Sequence, residues 1–291
     1  AIKSNYSVSV SEVSPQMITQ AEDILNQFTD NPRKDNSLLE QLFALLPRKM
    51  KNVADYLLPA DAEPEQIQNV IDRETDLLRM METQMQALPS NDSKEKTLLE
   101  EWNLSITPVN NEKELRQIKR HMGHSADCFS KAFRVKNSNR DNAFWNYYDK
   151  HNYHKEDIHY WYHGSRNMNC LSILHNGLIL NPKAPKVGHM FGYGIYLAPK
   201  AKKSIGYTSL NGSFWVHGTS DTAYLFVMKT VYKSPYHVYT WTSGMKSLTK
   251  SRISPHDAVF AHAGTSLRND EVVIFDDAQV TLQYIIELKQ Q

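Results

Sequence analysis

The sequence predicts an α+β protein, in which an all-α helical bundle precedes a mixed, mainly antiparallel β domain. In the first third of the chain, apolar residues recur at the three- and four-residue intervals of amphipathic helices. Aromatic and β-branched residues then become frequent, and every glycine lies beyond Asp92. The strand-like runs do not alternate regularly with helices, which argues against a doubly wound parallel sheet.

Three helices are expected in the first third. Ser14-Pro15 supplies a cap and a first helical residue for the first helix, which Asn31-Pro32 ends. A leucine-rich second helix over residues 38–46 stops at Pro47, and a third helix follows Glu63-Pro64. The polar, turn-rich stretch over residues 89–94 then predicts a boundary, which divides the chain into domains 1–92 and 93–291.

The second domain is predicted to contain both element types. Short apolar runs indicate strands at residues 223–228, 272–275 and 280–288. One helix is expected from residue 111 to about residue 130, and another over residues 167–176, where Gly177 is a suitable C-cap.

Bulk composition indicates a globular protein of a reducing, intracellular compartment. Hydrophobic residues make up 41% and charged residues 22% of the chain, and the formal net charge of +1 provides no overall attraction to nucleic acid or membrane. Cys128 and Cys170 are far apart in the sequence and indicate neither a disulfide framework nor a zinc site. We expect no membrane partner, because the apolar runs are too short to span a bilayer and the first residues do not resemble a leader.

Three separated segments carry the polar and aromatic residues of a candidate ligand site. They are YHGSR at residues 162–166, GHMFGYGIYLA at residues 188–198 continuing into KSIGY at 203–207, and NDEVVIFD at residues 269–276. A histidine, hydroxyl groups, stacking tyrosines and one carboxylate suit a nucleotide with ribose hydroxyls and an aromatic base. Gly192 and Gly194 mark backbone that bends tightly or leaves room for a ligand. The histidines at 151, 154, 159 and 163 match no standard zinc spacing, so we expect no metal.

In this order, the three segments resemble the catalytic domain of the poly(ADP-ribose) polymerases. In that family an H-G-S segment, a G-x-G-I-Y-F-A segment leading to K-S-x-x-Y, and a late N-E-Y-I-V-Y-like strand build the site for NAD. The similarity spans residues 94–289, and the tail DDAQVTLQYIIELK resembles the closing strand of the family. LLEQLFALLPRKM resembles a segment of the family's helical regulatory domain. The resemblance thus implies a helical regulatory domain at 1–92 and an ADP-ribosyltransferase domain at 93–291.

The resemblance also implies a role for each site residue. Glu271, His163 and Tyr196 correspond to the H-Y-E triad, with Glu271 as the catalytic glutamate and His163 on a ribose hydroxyl of the adenosine side. Gly164 and Ser204 are implied to hold the nicotinamide, and Tyr207 to stack on its ring opposite Tyr196. Ser165 is implied to lie near the adenosine ribose, and Lys203 beside Glu271.

The function implied is cleavage of the nicotinamide–ribose bond of NAD, as substrate, and synthesis of poly(ADP-ribose) on protein acceptors, including the chain itself. Transfer of single ADP-ribose units and a non-catalytic module that binds NAD or ADP-ribose remain alternatives. No zinc-finger pattern precedes the helices, so this chain alone does not indicate activation by DNA. The expected compartment is the cytoplasm if the protein is microbial, and the nucleus is an alternative if it is eukaryotic.

Overall fold

The computed structural model describes residues 5–30, 36–87, 97–180 and 190–290. These residues divide into a helical unit, which ends at Ala87, and a sheet unit, which begins at Thr97. Helices and mixed sheets together make the fold class α+β, as the sequence predicts. The predicted boundary between residues 92 and 93 lies outside the described residues and stays a prediction.

The helical unit contains the three predicted helices, which are α1 (Pro15–Asp30), α2 (Ser37–Leu45) and α3 (Pro64–Gln86). Helix α1 begins as expected, because the Ser14 hydroxyl accepts a hydrogen bond of 3.2 Å from the backbone amide of Met17. At the start of α3, the backbone amide of Glu63 donates to the Gln66 side chain at 2.8 Å. The predicted end of α1 at residues 31–32 lies outside the described residues.

A buried ion pair joins the second and third helical segments. Arg48, just beyond α2, pairs with Glu74 of α3, and their side chains are only 2% and 1% exposed. Arg73 donates to the same carboxylate at 2.9 Å. The guanidinium of Arg48 lies 4.1 Å from the centre of the Tyr6 ring, and burial raises the pKa of Tyr6 to about 12 against the opposing charge of Arg48. Elsewhere in the helical unit, α1 packs against α2 and α3, and leucines and Phe28 are buried.

The sheet unit contains two sheets and several short helices. Its strands are β1 (Leu104–Pro108), β2 (Phe129–Asn137), β3 (Ile158–Gly164), β4 (Ile195–Leu197), β5 (Thr222–Val231), β6 (Pro235–Val238), β7 (Ala258–Ala261), β8 (Glu271–Ile274) and β9 (Val280–Lys289). Its helices are α4 (Leu98–Glu101), α5 (Glu112–Met122), α6 (Ser138–Lys150), α7 (Cys170–Asn176), α8 (Ala201–Ile205) and α9 (Lys250–Ile253).

Strand pairing in both sheets is mainly antiparallel, as predicted. The five-stranded sheet has the order β1-β2-β9-β5-β3, and the four-stranded sheet has the order β4-β8-β7-β6, in which only β6 and β7 run parallel among the described strands. Fully buried residues of β5 and β9, among them Leu225, Phe226 and Ile286, form the centre of the core. The core therefore lies where the two longest strands pair.

Two backbone hydrogen bonds between described residues join an edge of one sheet to an edge of the other. The Tyr162 amide donates to the carbonyl of Ala198 at 2.9 Å, and the Ala198 amide donates to the carbonyl of Tyr162 at 2.8 Å. Tyr162 belongs to the edge strand β3 of the first sheet, whereas Ala198 directly follows the edge strand β4 of the second. The pairing therefore brings the ends of β3 and β4 side by side.

One predicted helix is shorter in the structure than the sequence indicates. The helix expected to reach about residue 130 ends at Met122, because Gly123 adopts a left-handed φ of 58° that terminates it. A 3₁₀ segment follows, and residues 129–137 form strand β2. The other expected helix starts with a 3₁₀ turn at Asn167–Asn169 and ends at Asn176, and Gly177 is confirmed as its C-cap, with a φ of 70°.

Within the described residues, no helix is both long and apolar enough to cross a membrane.

The buried ion pair generates a prediction about stability. The substitution Glu74→Gln removes the charge that compensates Arg48, so we expect a loss of about 3–5 kcal/mol in the free energy of unfolding of the helical unit. Urea unfolding followed by circular dichroism measures this loss. Glu112→Gln is the control, because its pair with Arg116 is 86% and 68% exposed and should contribute little. Equal midpoints for the two variants would contradict the prediction.

Candidate active site

The candidate site begins at the junction between β3 and β4. His163 and Gly164 end β3, Tyr196 lies in β4, and Glu271 is the first residue of β8. Leu197 pairs with Val272 across β4 and β8, so Glu271 lies next to the segment that continues β4. Three segments that are far apart in the sequence are thereby held together by strand pairing.

His163 is held directly by the backbone of β4. Its Nδ1 lies 3.0 Å from the carbonyl oxygen of Tyr196. Because a carbonyl oxygen only accepts, the proton of a neutral imidazole must be on Nδ1, which leaves Nε2 as the acceptor nitrogen. The strand pairing thus sets both the orientation and the tautomer of this histidine.

Tyr196 carries a protonated hydroxyl that is fixed by the preceding loop. The hydroxyl donates to the carbonyl of Gly192 at 2.7 Å and accepts from the amide of Phe191 at 3.0 Å. Burial raises the pKa of Tyr196 far above its usual range, and the negative charge of Glu271 raises it further. The hydroxyl of Tyr196 therefore stays protonated.

Glu271 is a buried carboxylate with a cationic partner. Its Oε1 lies 2.8 Å from the Nζ of Lys203 in α8, and both side chains are 12% exposed. A carboxylate so shielded from water is stable when paired, because burying an isolated charge is costly. The pair also ties α8 to the head of β8.

Gly164 lies against the backbone of Ser204. A Cβ atom at residue 164 would be 1.7 Å from the carbonyl oxygen of Ser204, so any larger residue would displace α8. Ser204 itself is 4% exposed, and its carbonyl accepts the amide of Tyr207 at 3.0 Å. The arrangement explains why glycine occupies this position and brings residues 164, 204 and 207 into one group.

The remaining predicted residues have packing roles as well. Gly192 has a left-handed φ of 79°, and a Cβ there would lie 2.0 Å from the carbonyl oxygen of Leu248. A Cβ at Gly194 would lie 2.4 Å from a methyl of Val273. Ser165 accepts a hydrogen bond of 2.8 Å from the side chain of Asn169. A ligand-binding role for these three residues stays a prediction.

One residue beside the site was missed at the sequence level. The Trp215 ring stacks on Tyr207, with ring centres 5.8 Å apart and planes 17° from parallel. The only signal in the sequence is the pair Phe214-Trp215 in a polar segment between Gly212 and Gly218. Two adjacent large aromatic residues within a short segment bounded by glycines are a pattern that would have marked it as a surface feature.

Metal ligands are not clustered in the described part of the chain. No group of three or more histidine, cysteine, aspartate or glutamate side chains among residues 5–30, 36–87, 97–180 and 190–290 could hold a metal ion. His151 instead contacts the carbonyl of Tyr147 through Nδ1 at 2.9 Å, and His163 contacts Tyr196.

Comparison with known proteins identifies the class of protein. A family model described as the poly(ADP-ribose) polymerase catalytic domain matches residues 112–290, which is more than half of the chain. The chain therefore belongs to the poly(ADP-ribose) polymerase family, whose members use NAD as their substrate.

Individual relatives agree with this assignment. The chain is 31% identical over 147 residues to poly [ADP-ribose] polymerase of Drosophila melanogaster, covering 44% of this chain and 15% of the relative. It is 31% identical over 153 residues to poly [ADP-ribose] polymerase 1 of Gallus gallus, covering 44% and 14%. With poly [ADP-ribose] polymerase 2 of Arabidopsis thaliana it shares 25% identity over 225 residues, covering 65% and 34%. The chain thus spans only about 15% of the length of the first two curated relatives.

The contact between Gly164 and Ser204 generates a second prediction. Gly164→Ala places a methyl group against the carbonyl oxygen of Ser204. We therefore expect overpacking to lower the free energy of unfolding by about 1–3 kcal/mol, and we expect NAD to bind much more weakly. Thermal unfolding and titration calorimetry with NAD measure the two effects. Gly244→Ala is the control, because nothing lies within 4 Å of its added Cβ. If Gly164→Ala binds NAD as tightly as the wild type does, the prediction is wrong and a displacement of α8 does not affect the site.

Proposed function

We propose that this chain is an NAD-dependent ADP-ribosyltransferase that cleaves the nicotinamide–ribose bond and transfers ADP-ribose to protein acceptors. The observation that supports the proposal best is the environment of Glu271. Its carboxylate is shielded from water and paired with Lys203 at 2.8 Å, and the pairing of β4 with β8 places Glu271 next to the segment that continues from Tyr196. A shielded carboxylate beside a fixed phenol suits the stabilisation of a positively charged sugar.

In this proposal, the nicotinamide end of NAD binds against the surface that Gly164 and Ser204 form together. The carboxamide would exchange hydrogen bonds with the Gly164 backbone and the Ser204 hydroxyl, while Tyr207 and Tyr196 would stack on the ring. The close approach of residues 164 and 204 supports this role, because without a side chain at residue 164 the backbone at the end of β3 can be approached by a ligand. Tyr207 is 38% exposed, so part of its ring surface remains accessible to a ligand.

The adenosine side of NAD would be held by His163 and Ser165. With Nδ1 bound to the carbonyl of Tyr196, Nε2 of a neutral imidazole can accept a hydrogen bond from a ribose hydroxyl. The fixed tautomer therefore supports the role that the family resemblance implies for His163.

Glu271 would act on the ribose as its bond to nicotinamide breaks. When the bond between C1′ and the nicotinamide nitrogen breaks, nicotinamide takes the electron pair and the sugar becomes oxocarbenium-like. The carboxylate would hydrogen-bond the 2′-hydroxyl and stabilise the developing charge. During elongation it would also polarise the attacking hydroxyl, whose oxygen forms the new bond to C1′ and whose proton passes to water.

We further propose that the enzyme builds chains of ADP-ribose, with proteins, including itself, as acceptors in an intracellular compartment. The carboxylate at position 271 supports polymer synthesis, because family members that attach single units often lack it. Single-unit transfer and a non-catalytic module that binds NAD or ADP-ribose are the alternatives. Incubation with labelled NAD separates the three, which give a ladder, a single labelled band and no label respectively.

The role of Glu271 is tested by replacing its charge. We expect Glu271→Gln to retain NAD affinity within about threefold and to abolish the ladder, because a group that acts mainly on the transition state affects rate more than binding. Calorimetry with NAD and gel analysis of labelled product provide the two measurements. Glu156→Gln, at an exposed carboxylate, should behave as the wild type. Polymer of normal length from Glu271→Gln would contradict the assignment.

The helical unit is proposed to be a separate domain, spanning residues 1–92, that regulates access of NAD. If folded helices restrict access, loosening them raises the basal rate. We therefore expect Glu74→Gln, a substitution within the helical unit, to increase NAD consumption severalfold under conditions in which the variant remains folded. Nicotinamide release measures this rate. A bundle that only stabilises the protein predicts an unchanged or lower rate, and that result would contradict the regulatory role.

A further inference from the structure

The segment between α8 and β5 forms a closely hydrogen-bonded loop, here called the aromatic loop (residues 209–220). The amide of Asn211 donates to the carbonyl of Ser220 at 2.8 Å, and the amide of Gly212 donates to the carbonyl of Gly218 at 3.1 Å. Gly212 and His217 adopt left-handed φ values of 77° and 46°. Such internal bonding fixes the path of the loop and hence the direction of its tip.

The tip of the aromatic loop carries two large rings on the protein surface. Phe214 is 62% exposed and Trp215 is 52% exposed. Exposed rings of this size, held on an ordered loop, are typical of a surface that contacts a ligand or another group. The two residues differ in what they contact, which makes them separable by mutation.

Trp215 is hydrogen-bonded to Gly206, the residue that precedes Tyr207. Its backbone amide donates to the carbonyl of Gly206 at 2.9 Å. Its indole lies so close to Gly206 that a Cβ there would be 3.1 Å from the indole Cδ1. The absence of a side chain at Gly206 thus lets the indole reach the ring of Tyr207.

The ring of Tyr207 has Trp215 as a stacking partner. The two ring centres are 5.8 Å apart with an interplanar angle of 17°, whereas Phe214 meets the indole edge-on at 4.7 Å and 89°. Tyr207 follows a helix of only five residues and is 38% exposed, and the stack restricts the orientation of its ring.

We propose that Trp215 is a positioning residue for the nicotinamide end of NAD, acting through Tyr207. This inference rests on the proposed function and adds a residue to it. Trp215 holds the Tyr207 ring in the orientation that accepts a planar aromatic carboxamide, so binding requires less ordering of the protein. The effect belongs to the ground state and the transition state alike, since the ring remains stacked until the bond breaks.

The test compares three variants by the binding of benzamide, which has the ring and carboxamide of nicotinamide without a ribosyl bond. Trp215→Ala should weaken benzamide binding and raise the KM for NAD by about threefold to tenfold, which is the range expected for one aromatic pair, with kcat within twofold. Trp215→Phe keeps a stacking ring and should restore both values to within about twofold. Phe214→Ala, in the same loop but without a ring contact to Tyr207, is the matched control and should bind as the wild type does.

The possible results separate this inference from the proposed function. A wild-type protein that binds neither benzamide nor NAD contradicts the proposed function and the inference with it. Tight binding by both the wild type and Trp215→Ala contradicts the inference alone. The inference is also wrong if Phe214→Ala weakens binding as much as Trp215→Ala, or if Trp215→Ala lowers kcat while leaving KM unchanged.

Discussion

Two backbone hydrogen bonds between Tyr162 and Ala198 are the constraint on which the candidate site depends. They join the edge strand of one sheet to the segment that continues the edge strand of the other. His163 follows Tyr162, and Tyr196 precedes Ala198 by two residues, so the side chains of the site are set by strand register. Because the bonds are made by main-chain atoms, many side-chain sequences can retain this geometry.

Electrostatics at the junction follow from burial. Glu271 is charged in a place largely shielded from water, and Lys203 compensates that charge directly. The hydroxyl of Tyr196 remains protonated, because burial and the charge of Glu271 both raise its pKa. The junction therefore combines the carboxylate of Glu271, paired with Lys203, and the protonated hydroxyl of Tyr196.

The predictability of each feature depended on whether its cause was local. Helical periodicity and caps such as Ser14 identified α1 to α3, and the apolar runs identified β5, β8 and β9. The end of α5 was missed because Gly123 sets a left-handed turn within a polar stretch whose helical signal continues past it. The motif segments indicated the site residues, but the ion pair between Lys203 and Glu271 was expected only through family resemblance. The stack on Trp215 depends on how a loop folds back, which no periodicity records.

Strand β9 lies between β2 and β5 and follows both of them in the sequence. During synthesis, the five-stranded sheet therefore remains without its central member until residues 280–289 have left the ribosome. Until then, β2 and β5 expose pairing edges that only β9 can cover, which is a state prone to association with other chains. The central strand of this sheet is consequently the last of its five strands to be synthesised, so the pairing of β2 and β5 through β9 cannot begin while the chain is still shorter than residue 280.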